Sequence, residues 1–309
     1  MDTTMRAGDR LRGRYRLDTP LERGAMGAVW QGHDEHLDRP VAVKIALPPQ
    51  DGDDGARLLR RLHREAQAAA RLDHPNIATV YDADTRDDGV RWLIMPLIDG
   101  VTLRDLLAER GRFTVPEAAA VVAQLCAGLE VAHRAGLVHR DIKPANLMVT
   151  RGGLLKILDF GLVKPMIDAQ GLTVTGELLG NVLYAAPEYF EGDNRDHKVD
   201  GRSDLYAAGC LLHHLLAGVP PFPDDSPALL PGRHLYDPPP TLADRGIVVP
   251  DGVQALIDAL TAKDPDSRPA SGAEVYARLF SHLPAPAADV VITPASEDPA
   301  RPFRAPYAP

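Results

Sequence analysis

A chain of 309 residues, 45% hydrophobic and 25% charged, has enough apolar surface for one large core or two lobes, which excludes disorder of the whole. Its net charge of −9 argues against nonspecific binding to nucleic acid or an anionic membrane and points to peptides and nucleotides as partners. The two cysteines, Cys126 and Cys210, lie far apart in apolar helical patterns and read as buried thiols of a reducing compartment. The N-terminus lacks a basic-then-apolar signal pattern. No run of about eighteen apolar residues is expected to span a bilayer. The longest apolar helix is expected over residues 205–216, and the chain is expected to be soluble and cytoplasmic.

Residues 1–11 are polar and expected to be loosely ordered. From 15 to 45 the pattern is short and strand-like, with turns at Arg23-Gly24-Ala25 and over 34–39. Gly24 and Gly27 fall in a hairpin before Val29. Missing side chains would let backbone N–H groups approach phosphates there, although glycine punctuates ordinary hairpins as well. Val41-Ala42-Val43-Lys44 is an apolar strand with one lysine at its far end, a position usually taken by a solvated edge charge. Residues 55–72 read as an amphipathic helix whose only carboxylate is Glu65. On the surface Glu65 would pair with Arg61 or Arg64 for roughly 0.3–0.5 kcal/mol; the other reading pairs it with Lys44. His74-Pro75-Asn76 ends the helical region, and residues 77–81 with 91–95 are expected to complete a small antiparallel sheet. Met95-Pro96-Leu97-Ile98 then connects to a larger lobe, Pro96 lacking a backbone donor that Leu97 and Ile98 keep.

From Thr102 the periods become helical, with a short helix and then a long one over 115–135, opened by Pro116 and closed by Gly136. Residues 137–161 follow as a strand-loop-strand segment. Asp141, Lys143 and Asn146 lie between apolar runs, and the run 154–158 delivers Asp159-Phe160-Gly161. A carboxylate for a hydroxyl, a cation for a phosphate and two oxygen ligands for magnesium suit phosphoryl transfer, whose loose transition state needs positioning and charge neutralisation. Taken singly, each acid is as readily a capped turn or a surface charge. Asp204 opens an apolar helix to Ala217. Its His213-His214 pair faces different sides and reads as packing or polar surface, not a metal site. Residues 220–240 read as a proline-rich loop, and 284–309 as a flexible tail or a ligand for another protein.

The glycine hairpin, the strand ending in Lys44, Glu65, the loop from His139 through Asn146, Asp159-Phe160-Gly161, Ala186-Pro187-Glu188 and the helix start at Asp204 stand in this order over roughly residues 14–281. In that order and spacing the chain resembles the bacterial eukaryotic-like Ser/Thr protein kinases. The resemblance implies an α+β, two-lobed fold: a flexible N-terminus (1–13), an antiparallel β-sheet lobe with one helix (14–95), a hinge (96–98), a mostly helical lobe (99–281) and a proline-rich tail (282–309). It implies ATP as phosphoryl donor and Mg²⁺, with Mn²⁺ as a substitute.

Residue by residue, the resemblance makes Asp141 the acceptor or orienter of the substrate hydroxyl proton. With an aspartate's ordinary pKa of roughly 3.9, its orientation matters more than its basicity. Lys143 would neutralise the transferring phosphoryl group, and Lys44, oriented by Glu65, would hold the α- and β-phosphates. Asn146 and Asp159 would bind the metal. Gly24, Gly27, Val29, Ala42, Met95, Leu97, Ile98 and Met148 would form the nucleotide pocket. Arg140 would order an activation loop phosphorylated at Thr173 or Thr175, which implies self-association for autophosphorylation in trans. Glu188 is expected to pair with Arg268, Asp204 to fix the catalytic loop from below, and His139 and Phe160 to pack. Two residues depart from the family pattern: Glu22 replaces the first loop glycine, and Asn181 stands where a threonine usually bonds the catalytic pair. The function implied is a Ser/Thr protein kinase acting on proteins. The alternative is a nucleotide-binding pseudokinase or scaffold, supported by Glu22 and Asn181, and a kinase of small molecules is a third reading.

Overall fold

The computed structural model describes residues 5–24, 27–46, 68–85, 90–160, 182–191, 199–223, 226 and 228–284. Their backbone contacts divide the chain into two units, one comprising Met1–Asp73 with Ala78–Asp99 and the other His74–Ile77 with Gly100–Pro309.

The first unit is built on a six-stranded antiparallel sheet in the order β1-β2-β3-β4-β6-β5. Its strands are β1 (Arg10–Leu11), β2 (Tyr15–Gly24), β3 (Gly27–Asp34), β4 (Arg39–Ala46), β5 (Asp82–Thr85) and β6 (Arg91–Pro96). Alternation explains β4: Val41, Val43 and Ile45 are buried while Ala42, Lys44 and Ala46 on the other face are only partly covered. The buried set joins Tyr15, Leu17, Trp30, Trp92 and Ile94 in one apolar cluster. Burying each such large side chain contributes roughly 1.5–3 kcal/mol before chain entropy is charged against it.

Two strand expectations change. Arg10–Leu11 pairs with β2 and Leu11 is buried, so order begins before residue 13 despite the polar composition. The strand beside β6 is Asp82–Thr85, not 77–81. Its polar Asp-Ala-Asp-Thr run is accepted at the sheet's edge because Asp82 takes a 2.7 Å hydrogen bond from the Tyr15 hydroxyl. Ile77 makes an isolated parallel bridge to Ile157 in the other unit's core instead.

The second unit contains a three-stranded sheet, β7 (Gly100–Thr102), β8 (Leu147–Thr150) and β9 (Leu155–Ile157), and six described helices. These are α1 (Leu103–Arg110), α2 (Val115–Arg134), α3 (Gly201–Ala217), α4 (Leu230–Tyr236), α5 (Asp251–Leu260) and α6 (Gly272–Leu279). Thr114 caps α2, its N–H and hydroxyl both donating to Glu117 Oε2 at 2.9 and 2.8 Å. Among the described residues α2 alone is long and apolar enough to cross a membrane. Glu117, Gln124 and Glu130 interrupt its apolar sequence, and it exceeds α3 as the longest apolar helix. Most of that stretch is buried inside the unit, where small alanines let α3, α6 and β9 pack against it. Within the stretch expected to be a loop, residues 220–240, α4 forms; its proline falls in the first turn, where no helical N–H is lost.

Candidate active site

Strand register brings four of the expected nucleotide-site residues onto one face of the first unit's sheet. Val29 pairs with Lys44, and Ala42 with Met95. Directly opposed residues share a face, and residues two apart along a strand do too, so Val29, Ala42, Lys44 and Met95 lie together. The opposite face carries the buried cluster around Val43 and Trp92. Glu22 pairs with Val29, which sets its carboxylate on the Lys44 face as well. Gly24 and Gly27 face each other at the ends of β2 and β3. Gly27 has φ +148° and a Cβ there would stand 1.9 Å from the Ile45 carbonyl oxygen, so this glycine is required by strand packing whatever binds above it. Leu97 and Ile98 follow β6 and are partly buried.

The second unit holds the other half of the set. A 3₁₀ turn, Pro144–Asn146, closes the loop between α2 and β8. Within it, Asn146 Nδ2 donates to both the carbonyl oxygen and Oδ2 of Asp141, each at 2.7 Å, and Lys143 Nζ stands 3.2 Å from the same Oδ2. The carboxylate is thus oriented by an amide and a cation at once. With its NH₂ turned to Asp141, the Asn146 amide presents Oδ1, a hard oxygen donor. Asp159 follows β9 with φ +65°. Asn146 Oδ1 and the Asp159 carboxylate are hard oxygen donors of the kind that a divalent cation shared with phosphate prefers. Met148 pairs with Thr102 and Lys156 on the half-covered face of β8.

Asp204, buried at the start of α3, holds the loop from behind. Its Oδ2 accepts from the His139 N–H and its Oδ1 from the Arg140 N–H, both at 2.8 Å, and His133 Nε2 lies 2.8 Å from Oδ2. These bonds secure Arg140 at φ +67°, a left-handed conformation that costs a non-glycine residue roughly 1–2 kcal/mol. Asp204 therefore fixes the catalytic loop as its place in the sequence led us to expect.

His139 does more than pack. Its Nε2 is 2.6 Å from the Leu158 carbonyl oxygen and must carry the proton, because a carbonyl only accepts. Its Nδ1 lies 3.2 Å from the Asp141 N–H and accepts from it, which makes the ring the neutral Nε2–H tautomer. The ring also meets Phe160 edge-on at 4.7 Å. One side chain thereby ties the backbone of Asp141 to the backbone just before Asp159.

The sequence reading missed Asn76. Fully buried, it donates from Nδ2 to the Leu155 carbonyl at 2.9 Å and to Gln124 Oε1 at 3.1 Å, while its backbone carbonyl accepts the Ile157 N–H at 2.8 Å. Gln124 Oε1 accepts the Leu155 N–H in turn. Gly128 in α2 makes room for this arrangement, since a Cβ there would be 2.7 Å from Ile157 Cδ1. The two amides set the height of β9 and so of Asp159. Nothing short-range in His74-Pro75-Asn76 signals partners so distant in sequence.

Glu188 and Arg268 form the expected buried pair, bidentate at 2.8 and 2.9 Å, with Ser203 Oγ donating to Glu188 at 2.6 Å. Burial alone would raise the Glu188 pKa, but the bonds from Arg268 and Ser203 outweigh it and hold the group below the ordinary glutamate range. A cavity of about 10 Å³ lies among Arg140, Asp141, Tyr184, Ala185, Tyr189 and Asp204. His213 and His214 go to separate partners, the Pro240 carbonyl and the Tyr184 hydroxyl. Glu65, Gly161, Thr173, Thr175 and Asn181 lie outside the described residues.

The protein kinase domain family matches residues 15–280. The chain belongs to the protein kinase family. Its sheet unit and helical unit are the two lobes of the kinase fold, and kinases as a family use ATP with a divalent metal. Similar curated proteins include a probable serine/threonine-protein kinase of Streptomyces coelicolor, 41% identical over 86% of this chain and 39% of its own length. The serine/threonine-protein kinase PknB of Mycobacterium leprae is 38% identical over 87% of this chain and 43% of its own length. PknB of Mycobacterium tuberculosis is 37% identical with the same coverage of both chains. The kinase chain thus spans about two-fifths of the length of the curated relatives it matches.

Proposed function

We propose that this chain is a Ser/Thr protein kinase that transfers the γ-phosphoryl group of ATP to serine and threonine hydroxyls of proteins. The arrangement of Asp141 between Asn146 and Lys143 carries the reading. The names of the relatives support the Ser/Thr class. The acceptor oxygen attacks the γ-phosphorus, the bond to the β,γ-bridging oxygen breaks, and ADP leaves. Asp141 orients the hydroxyl and takes its proton; Lys143 offsets charge on the transferring group, and Lys44 holds the α- and β-phosphates. Asn146 and Asp159 would hold Mg²⁺, or Mn²⁺ in its place, which would neutralise phosphate charge. Glu65 is assigned to orient Lys44, and Val29, Ala42, Met95, Leu97, Ile98 and Met148 are assigned to contact the nucleotide. Arg140 receives Thr173 or Thr175 once phosphorylated in trans by a second copy, and the proline-rich tail recruits a further protein. The use of ATP as donor supports a cytoplasmic location for this chemistry.

The test is transfer of labelled phosphate from ATP with Mg²⁺ or Mn²⁺, comparing wild type with Asp141→Asn. Wild type is expected to label protein acceptors and itself, and Asp141→Asn to fall at least about a hundredfold. Transfer that survives the substitution, or is absent from wild type, would overturn the proposal. Mass spectrometry of Thr173 and Thr175 checks the self-modification.

A further inference from the structure

We propose that the small cavity beside Asp141 seats one ordered water, which accepts a hydrogen bond from the Tyr189 hydroxyl and donates to the Asp204 carboxylate, and that Tyr189 acts through it as a positioning residue for the catalytic loop. The positioning role rests on the kinase reading above, whereas the water site stands on its own geometry. Arg140, Asp141, Tyr189, Asp204 and Ala207 are among the residues that line this cavity of about 10 Å³. A polar space of that size takes a single water molecule.

Tyr189 supplies the donor. The residue is half-buried as a whole, yet its hydroxyl is buried and has no hydrogen-bond partner among the described residues. A buried hydroxyl left unsatisfied is costly, so such groups are met by protein or by ordered water. Burial raises the phenol pKa well above its ordinary value and the Asp204 carboxylate raises it further, so the hydroxyl keeps its proton at neutral pH.

Asp204 supplies the acceptor. Its Oδ2 already meets the His139 N–H and His133 Nε2, whereas its Oδ1 takes the Arg140 N–H alone among the described residues. A carboxylate oxygen has two lone pairs, so Oδ1 has room for a second donor. The phenol and this carboxylate line one cavity without bonding directly, the spacing that a bridging water fills. Arg140 and Asp141 are its further polar neighbours. The chain of hydroxyl, water and carboxylate joins the 3₁₀ turn Pro187–Tyr189 to the group that holds Arg140 in its left-handed conformation, one position before Asp141. Loss of the water therefore loosens the aim of Asp141 and slows transfer, with nucleotide binding unchanged.

Two measurements on the full chain test this. A crystal structure that resolves ordered waters is expected to show one peak within hydrogen-bond distance of both Tyr189 Oη and the Asp204 carboxylate. The peak is expected to be absent from Ala207→Val, which fills the cavity and keeps the hydroxyl, and weakened or lost in Tyr189→Phe. In kinetics with a threonine peptide pool, each variant is expected to lower kcat about three- to tenfold and to leave the KM for ATP within about twofold. The double variant is expected to be no worse than the worse single one, because both remove the same water. Thermal unfolding of each variant separates misfolding from mispositioning, and Tyr189→Phe, which keeps the ring, decides alone if Ala207→Val fails to fold. A wild-type cavity without the peak would overturn the water site and the role built on it. A peak accompanied by a kcat that Tyr189→Phe leaves unmoved would overturn the positioning role. A wild type that labels no acceptor would overturn the kinase reading and the positioning role with it, while the peak still decides the water site.

Discussion

Glu22 shows what a single residue changes when its register is known. Opposed to Val29, and through Val29 to Lys44, its carboxylate stands on the face that carries the nucleotide residues. On the proposed reading a triphosphate approaching that face meets the Glu22 carboxylate, and at partly exposed sites such repulsion is worth on the order of 1 kcal/mol. Glu22→Gly is therefore expected to lower the KM for ATP by about three- to tenfold with little change in kcat, more clearly at low ionic strength than at high. Steady-state kinetics at two salt concentrations checks this; an unchanged KM would mean the side chain turns away from the phosphates. The sequence exposed Glu22 by its place in a glycine pattern. It could not expose His139 as a hydrogen-bond bridge, because an imidazole's two partners, here the Leu158 carbonyl and the Asp141 N–H, are fixed only when the loop is built.

At the scale of elements, the Glu188–Arg268 pair joins the 3₁₀ turn Pro187–Tyr189 to the turn Pro265–Ser267 across the face of α3. Arg268 also donates to the carbonyls of Arg202, Ala262 and Lys263, so its guanidinium is saturated by fixed acceptors. Arg268→Met leaves Glu188 charged and buried, and is expected to cost about 3–5 kcal/mol of stability. The Glu188→Leu/Arg268→Met double variant is expected to be less damaged than Arg268→Met alone, because no uncompensated charge remains. Urea unfolding of the three proteins decides it. Because the Glu188 pKa is lowered in the fold, its share of stability is present above the unfolded glutamate value and is lost as pH falls through the folded one. Both partners were legible in the sequence, as was β4 from its apolar run ending in Lys44. β5 was not, since an edge strand of Asp-Ala-Asp-Thr lacks the β-branched signature and is held by a tyrosine 67 residues away. α4 was hidden by prolines that read as loop until one of them occupied a helix's first turn.

Across the whole molecule, burial sets an acid limit. It lowers His213 and His214 to about 4 and His234 to about 3, aided by Arg245, His213 and Lys263 respectively. An unfolded histidine titrates near 6.5, so below that pH the unfolded chain takes protons that the folded one refuses. Stability is expected to be fullest above pH 6.5 and to decline toward pH 4, by about 2 kcal/mol per histidine between pH 7 and 5. Thermal unfolding across that range measures the slope, and His234→Phe, in its setting of Phe190, Tyr206 and Phe222 rings, should flatten it. The sequence was most legible where partners are close along the chain, as Asp141 is to Lys143 and Asn146, and least where they are distant, as Asn76 is from Gln124 and Leu155. Asp204 belongs to the second kind. It grips His139 and Arg140 from 65 and 64 residues downstream, so as the chain is synthesised the catalytic loop emerges well before the carboxylate that shapes it. Until α3 has formed, the two bonds from Asp204 cannot support the left-handed turn at Arg140, so the loop around Asp141 is expected to settle only after residue 204 has joined the fold.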